Sequence, residues 1–440
     1  MNLIRYGEKF FDELEIQIVR RREVSAKAEL NQISSASSSD LSMAVIRGVK
    51  DRKVGISIVD SDDPRRIEVG IERAYKLSRL SDRDDNWPGF PDKQRYKDVD
   101  NEILEDVDSD YFVNRLTIAL KDISTRKPDA IVVGAEAGAI WTSSRVMNSN
   151  GIDVEQSDSL SLFDLVMMGR YGDVVTPSIF DMELRKDYNL NTDAVIDSCL
   201  KKLDYARVVK RANKENAVVI LEPFALAEIL QFALYPAFSG ERKVKGTSLL
   251  SKRIGERVMS EKITIADDPF HDMSVSKIIA DDEGVATRRN VLVDNGIFKG
   301  FLWNNYWAHI AGVESTGNGT RSFKSGAMGI GAHNMVMENG KRSIDDIIAD
   351  IDHGYIATSF QGAHSSNPDT GAISVVANPA FVIDNGEIVG STVFMLSGNI
   401  YDLMSKVVEV SGDMRPVFMM GRGVYPHVVI DSAGIAPVSR

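Results

Sequence analysis

At 440 residues, with 43% hydrophobic and 26% charged residues, the chain is long enough for two or three ordinary domains and is neither fibrous nor disordered. Its 64 acidic and 52 basic residues leave a net charge of −12 with no long basic run, which argues against nucleic acid as a main partner. A single cysteine, Cys199, excludes an intramolecular disulfide and a Cys-rich zinc site, and no stretch of about 18 uncharged apolar residues offers a membrane span.

Residues 1–14 scatter Arg5, Glu8, Lys9, Asp12 and Glu13 among apolar positions. That pattern predicts an amphipathic helix, not the apolar core of a signal peptide, and a cytoplasmic protein. Arg20-Arg21-Arg22, the densest basic cluster, reads as a solvated strand end or turn. Val54–Val59 predicts a strand, and the following helix places Ile67, Ile71, Ala74 and Leu77 on one face. Residues 81–108 are acidic around Trp87-Pro88-Gly89-Phe90-Pro91, an irregular crossing pinned down by its aromatics. A helix from about Asp110 shows Phe112, Leu116, Ala119 and Ile123 on its apolar face, and strands follow from Ala130 to Asn150-Gly151. A further helix begins near Thr192, with Cys199 among Ile196, Leu200 and Leu203 as a buried structural thiol. Its charged end, Arg207 to Glu215, marks a boundary. The expected organisation is α+β: an N-terminal mixed domain, 1–215, and a C-terminal β-rich domain, 216–440, with a few helices.

Past that boundary, residues 224–234 form a helix apolar almost all round, which must be buried in a core or an interface, and Pro223 suits its first turn. Asn-Gly occurs at Asn150, Asn295, Asn318, Asn339 and Asn385, and suits the two central positions of a type I′ hairpin turn. The runs Val291–Phe298 and Phe381–Ile388 repeat one hairpin pattern. Ser343 with Asp346 caps a helix bearing Ile344, Ile347, Ile348 and Ile351. Asn399 caps another, with Ile400, Leu403, Met404, Val407 and Val408 on its face and Gly412 at its end.

Chemistry is sparse. Of the six histidines the closest pair, His353 and His364, are 11 residues apart, so no short helical pair grips a metal. Asp267, Asp268, His271 and Asp272 are the densest group of potential ligands, although an aspartate-stabilised turn is the commoner use of such a sequence. His364 and Ser365 are adjacent, which is poor geometry for a nucleophile and its base. Gly326–Gly331 lacks the residues of a phosphate loop and reads as a flexible or closely approached loop. Gly317, Asn318 and Gly319 around Arg321 suit a peptide backbone or carboxylate, or equally a plain turn with an exposed arginine. With His364 and Asn367 they form the candidate peptide path.

In order, Gly246–Ser251, Ile265–Pro269, Asp281–Thr287, Val293–Gly300, Thr316–Arg321 and Asp384–Ile388 resemble successive blocks of the TldD/PmbA family, formerly described as modulators of DNA gyrase. Val45–Gly55 and Trp87–Pro91 resemble its first domain. The resemblance implies a cytoplasmic metallopeptidase assembly acting on unfolded peptides. The catalytic branch carries His-Glu-x-x-x-His before the Gly-Thr-Ser block and a late cysteine. Here those positions hold Gln231, Phe232, Pro236 and, near the C-terminus, Met420 beside Met419 and Gly421. Together with Thr370–Ser374 this resembles the TldE/PmbA-like branch: a non-catalytic subunit without catalytic or metal residues of its own, completing a chamber and its peptide path. Zinc is then expected in a TldD-like partner, and the chain pairs with that partner or with itself. A self-sufficient hydrolase using Asp267, Asp268, His271 and Asp272, and a homodimeric peptide-binding scaffold, are the alternatives.

Overall fold

The computed structural model describes residues 3–99, 101, 103–418 and 421–438. Its architecture is α+β, as expected, in two sheets. The first contains β1 (Glu13–Glu29), β2 (Gln32–Lys50), β3 (Lys53–Val59), β4 (Ala130–Asn148), β5 (Asp153–Tyr171), β6 (Val174–Val175) and β7 (Ile179–Arg185). Their order is β3-β2-β1-β4-β5-β6, with β7 also paired to β5. Alternation places Val24, Ala26, Ala28, Ala135, Ala137 and Ala139 on one buried face, where small side chains let helices approach closely. Over that face lie residues of α3 (Ser109–Arg126) and α4 (Thr192–Ala206), including Phe112, Leu116, Cys199 and Leu203. Burial pushes the Cys199 thiol up, so it is a packing group.

Several local expectations need correction. The first helix, α1, covers only Leu3–Gly7. Leu14 lies close against Gly7, and Phe11 and Leu14 turn into a core cluster, so the chain leaves the helix and enters β1. Met1 lies outside the described residues. In α2 (Pro64–Ser78), capped by Asp63, Ile67, Ile71 and Ala74 are buried but Leu77 is 42% exposed. Arg20, Arg21 and Arg22 sit mid-strand in β1, not at its end, and pair with Asp62, Glu23 and Asp106. The crossing expected at 81–108 is irregular over its described residues, 81–99, 101 and 103–108: Phe90 is buried and Trp87 Nε1 donates to Glu13 Oε1 at 3.0 Å.

One site in this sheet is pH-sensitive. Asp164 on β5 faces Glu136 on β4, whose carboxylate is 3.1 Å from Lys27. Burial, then repulsion from Glu136, pushes the Asp164 pKa up to about 6. A carboxyl with a raised folded pKa contributes stability that is complete below its unfolded pKa and is lost as pH rises through about 6. Asp164→Asn is expected to remove that loss, stabilising the chain by about 3 kcal/mol above pH 7 and by little near pH 4. Thermal melts of both proteins at the two pH values measure this. Equal melting at the higher pH contradicts it.

The second sheet begins at β8 (Glu215–Leu221). It continues through β9 (Ile265–Asp267), β10 (Asn290–Asp294) and β11 (Ile297–Phe298); β12 (Gly319–Arg321) and β13 (Met328–Ile330) form a separate hairpin. The sheet resumes with β14 (Met335–Met337), β15 (His353–Ala357), β16 (Phe360–Gln361), β17 (Ala372–Asp384), β18 (Glu387–Asn399), β19 (Val407–Phe418) and β20 (Arg422–Pro437). The run β20-β18-β17-β15-β8 returns to β20 through a β8–β20 pairing and so closes on itself. The apolar helix α5 (Pro223–Ala233) is buried as expected, with Phe224, Leu226, Ile229 and Leu230 in the main core.

Of the five Asn-Gly pairs, only Asn295-Gly296 and Asn385-Gly386 have positive φ at both residues. They close the β10–β11 and β17–β18 hairpins. Asn150-Gly151 has it at the glycine alone, Asn318 is buried, and Asn339-Gly340 lies in an extended segment packed against Val410. Ser343 caps α8 (Ile344–Ala349) as expected. The helix capped by Asn399, α9 (Ile400–Ser405), stops well short of Gly412 because Val407 already pairs with Ile430 in the β19–β20 ladder. Among the described residues no helix is long and apolar enough to cross a membrane.

Candidate functional site

Helix α5 ends at Ala233, and a single 3-10 turn follows over Tyr235–Phe238. Pro236 lacks an N–H and disfavours a helical conformation in the residue before it, so the helix cannot run on. Next comes α6 (Gly240–Lys245), ended by Gly246 in the left-handed conformation. A cavity of about 770 Å³ opens between this bend, α6 and the strand β13.

Gln231, Pro236 and Gly421 all line this cavity. A Cβ on Gly421 would come within 3.1 Å of the Gln231 amide oxygen, so these two positions touch across it. Phe232 turns away, packs on the core and meets the His364 ring edge-on at 6.4 Å. Met420 lies outside the described residues. An amide, a phenyl ring and a pyrrolidine cannot replace the imidazoles and carboxylate of a zinc peptidase, so the residues present do not fit the metal.

The cavity is instead suited to polar contacts. Tyr235 lines it and donates its hydroxyl to that of Tyr425 at 3.1 Å, and burial pushes both phenols up, so both stay neutral. Around the rim, Arg242 pairs with Asp369, Lys245 with Glu241 at 2.6 Å, and Arg422 with Asp158 of β5 at 3.2 Å. Along one wall run Gly329, Ile330 and Gly331. Gly329 and Ile330 belong to β13, which pairs only with β12 among the described strands, so its other edge has backbone groups available.

The residues singled out in the sequence divide. His364 and Asn367 are exposed on the segment that ends in Asp369 at the cavity. Gly317, Asn318, Gly319 and Arg321 form the opposite side of the β12–β13 hairpin, facing inward. Arg321 is not an exposed turn residue but fully buried: it pairs with Glu15 on β1, and its Nε donates to Gln17 at 2.7 Å. Glu15 also holds Arg47, which reaches Glu283 at 3.1 Å. Asn318 donates to the Asp267 carboxylate at 2.6 Å, and Gly319 N–H to Asp281 at 2.7 Å. Arg321 ties the β12–β13 hairpin to β1 through Glu15 and Gln17, Glu283 reaches Arg47 on β2, and these groups are spent on each other.

Asp267, Asp268, His271 and Asp272 do not converge either. Asp267 is buried and accepts the N–H groups of His333 and Asn334, while burial pushes its pKa up against His333. Asp268 accepts Phe270 N–H and faces Arg289, and Asp272 is exposed. Among the described residues no group of three His, Cys, Asp or Glu is placed to hold a metal ion. Tyr235, Arg242, Lys245 and Arg422 carry no motif; their local signal in the sequence is a proline interrupting an apolar helix shortly before a Gly-Thr-Ser block.

Two family models match. The PmbA/TldA metallopeptidase C-terminal domain covers residues 214–437, and PmbA/TldA metallopeptidase domain 1 covers residues 14–78. The crystal structure of TldE from Thermococcus kodakarensis superposes with a TM-score of 0.97 at 44% identity, over 99% of both chains. An uncharacterized protein of Methanocaldococcus jannaschii is 29% identical over 97% of both chains. A metalloprotease TldD homolog of Buchnera aphidicola is 33% identical over 190 residues, 42% of this chain and 39% of that one.

Proposed function

The chain belongs to the PmbA/TldD metallopeptidase family, and from that premise we propose that it is the TldE-type, metal-free subunit of a two-subunit peptidase. In this reading a TldD-like chain supplies zinc and cleavage, and the present chain completes the enclosure and guides an unfolded peptide. One observation carries the proposal: Gln231 and Pro236, at the positions where the catalytic branch has its histidines, line this cavity, yet neither side chain can bind zinc or serve as a general base. The space left is bordered by an open strand edge, paired rim charges and the neutral Tyr235. An extended peptide is suited to that edge, where main-chain hydrogen bonds give affinity without reading sequence.

The self-sufficient hydrolase has less support, since its four residues are dispersed and Asp267 is engaged by backbone N–H groups. The test is co-expression with a family member bearing His-Glu-x-x-x-His. The two chains are expected to co-purify in fixed ratio and to cleave unfolded, not folded, proteins. Independent migration of the two chains at all salt concentrations sinks the proposal.

A further inference from the structure

Between the end of α4 and the start of β8, the chain touches β18 at a single point. There Val209 bridges Ser391 in parallel: Lys210 N–H donates to Ser391 O at 2.8 Å, and Ser391 N–H to Val208 O at 2.8 Å. On the same edge of β18, β20 takes up pairing only at Phe394, opposite Pro437. Thr392 and Val393 are left between two diverging neighbours, and a cavity of about 400 Å³ opens at the gap.

The lining combines three chemistries. Val209, Val393 and Val438 give it apolar walls, and Val209 and Val438 remain 47% and 39% exposed. Lys210 and Arg211 line it as exposed cations, and neither has a carboxylate partner among the described residues. Thr392 also lines it and is only 3% exposed, yet its hydroxyl has no hydrogen-bond partner among the described residues. Buried hydroxyls are normally hydrogen-bonded, so an unpaired one beside a cavity calls for a partner from outside the chain.

We propose that this cavity binds an aliphatic carboxylate. The carboxylate meets Lys210 and Arg211 and accepts from the Thr392 hydroxyl, while the tail covers Val209, Val393 and Val438. An aliphatic amine is repelled by the two cations, a neutral alcohol leaves them unpaired, and an inorganic anion leaves the apolar walls wet. A free short-chain acid and the C-terminal residue of a peptide share this chemistry. The cavity shares no lining residue with the one beside α5, and the inference does not rest on the two-subunit reading.

Isothermal titration calorimetry of the full chain tests it, with octanoate and octanol as one pair of probes and Ala-Ala-Leu and its C-terminal amide as the other. At least one carboxylate is expected to bind once per chain, and at least roughly tenfold more tightly than its neutral counterpart, since the charge-assisted contacts are lost with the charge. Octanoate binding alone assigns a free acid, and Ala-Ala-Leu binding alone assigns a peptide C-terminus. Lys210→Glu combined with Arg211→Glu is expected to weaken binding at least roughly tenfold, and Thr392→Val to weaken it without lowering the melting temperature. Failure of both carboxylates to bind, equal affinity for acid and neutral probe, or full affinity in the charge-reversed protein overturns the proposal. If the charge-reversed protein does not fold, Thr392→Val decides, and unchanged affinity in that variant overturns the proposal.

Discussion

Replacing Arg321 with alanine is expected to destabilise the folded chain by about 3–5 kcal/mol, the usual cost of removing one partner from a buried ion pair. Its side chain is 0% exposed and that of Glu15 is 1% exposed, so no water can take over the lost contacts. Burial pushes the Glu15 carboxyl up, but Arg47 and Arg321 outweigh it and hold the group below the usual range. Removing Arg321 leaves Glu15 with Arg47 alone and strips Gln17 of its donor. The linkage sign follows: a depressed carboxylate stabilises above its unfolded pKa, and that contribution is lost as pH falls through the folded value. The variant should therefore lose most at neutral pH and least in acid, the reverse of the Asp164→Asn profile. Urea unfolding followed by tryptophan fluorescence reports it, since Trp87 lies 5.5 Å from the Arg47 guanidinium. A loss below about 1 kcal/mol at pH 7 contradicts the account, being the value of an exposed pair.

The second large effect concerns metal. In the proposed two-chain assembly, chelation is expected to lower peptide hydrolysis by at least roughly 10³-fold, because a zinc ion supplies several kcal/mol of transition-state stabilisation. The melting temperature of the present chain alone should not move, since a metal stabilises only a fold that binds it. A shift of several degrees on chelation would mean that this chain has its own ion.

Much of the fold was legible because it rests on local chemistry. Apolar periodicity located α2, α3, α4 and α5, and the Asn295-Gly296 and Asn385-Gly386 turns announced their hairpins. Other turns were hidden: Leu30-Asn31 and Asp51-Arg52 turn with positive φ at both residues and no glycine. There the length and pairing of β1, β2 and β3 impose a conformation that local preference does not advertise. The same limit affects α9, where Val407 fits a helical face but joins the longer β19–β20 ladder.

The site was less legible. Family order led to Gln231 and Pro236, and the fold brings them together with Gly421 across the cavity. Arg321 illustrates why the rest was obscure. A glycine-rich loop around one arginine looks the same in sequence whether the arginine meets a ligand or a buried glutamate. Its partner Glu15 is 306 residues away. Arg242 and Asp369, 127 residues apart, are equally silent.

The most direct test of a metal-free subunit is the zinc content of the extensively dialysed, untagged chain purified alone, measured by elemental mass spectrometry. The account predicts less than about a tenth of an equivalent, because a site lacking its imidazole and thiolate ligands retains no tightly bound ion. Close to one equivalent per chain, lost together with activity when Gln231 or its neighbours are changed, would contradict it and make this chain an enzyme in its own right.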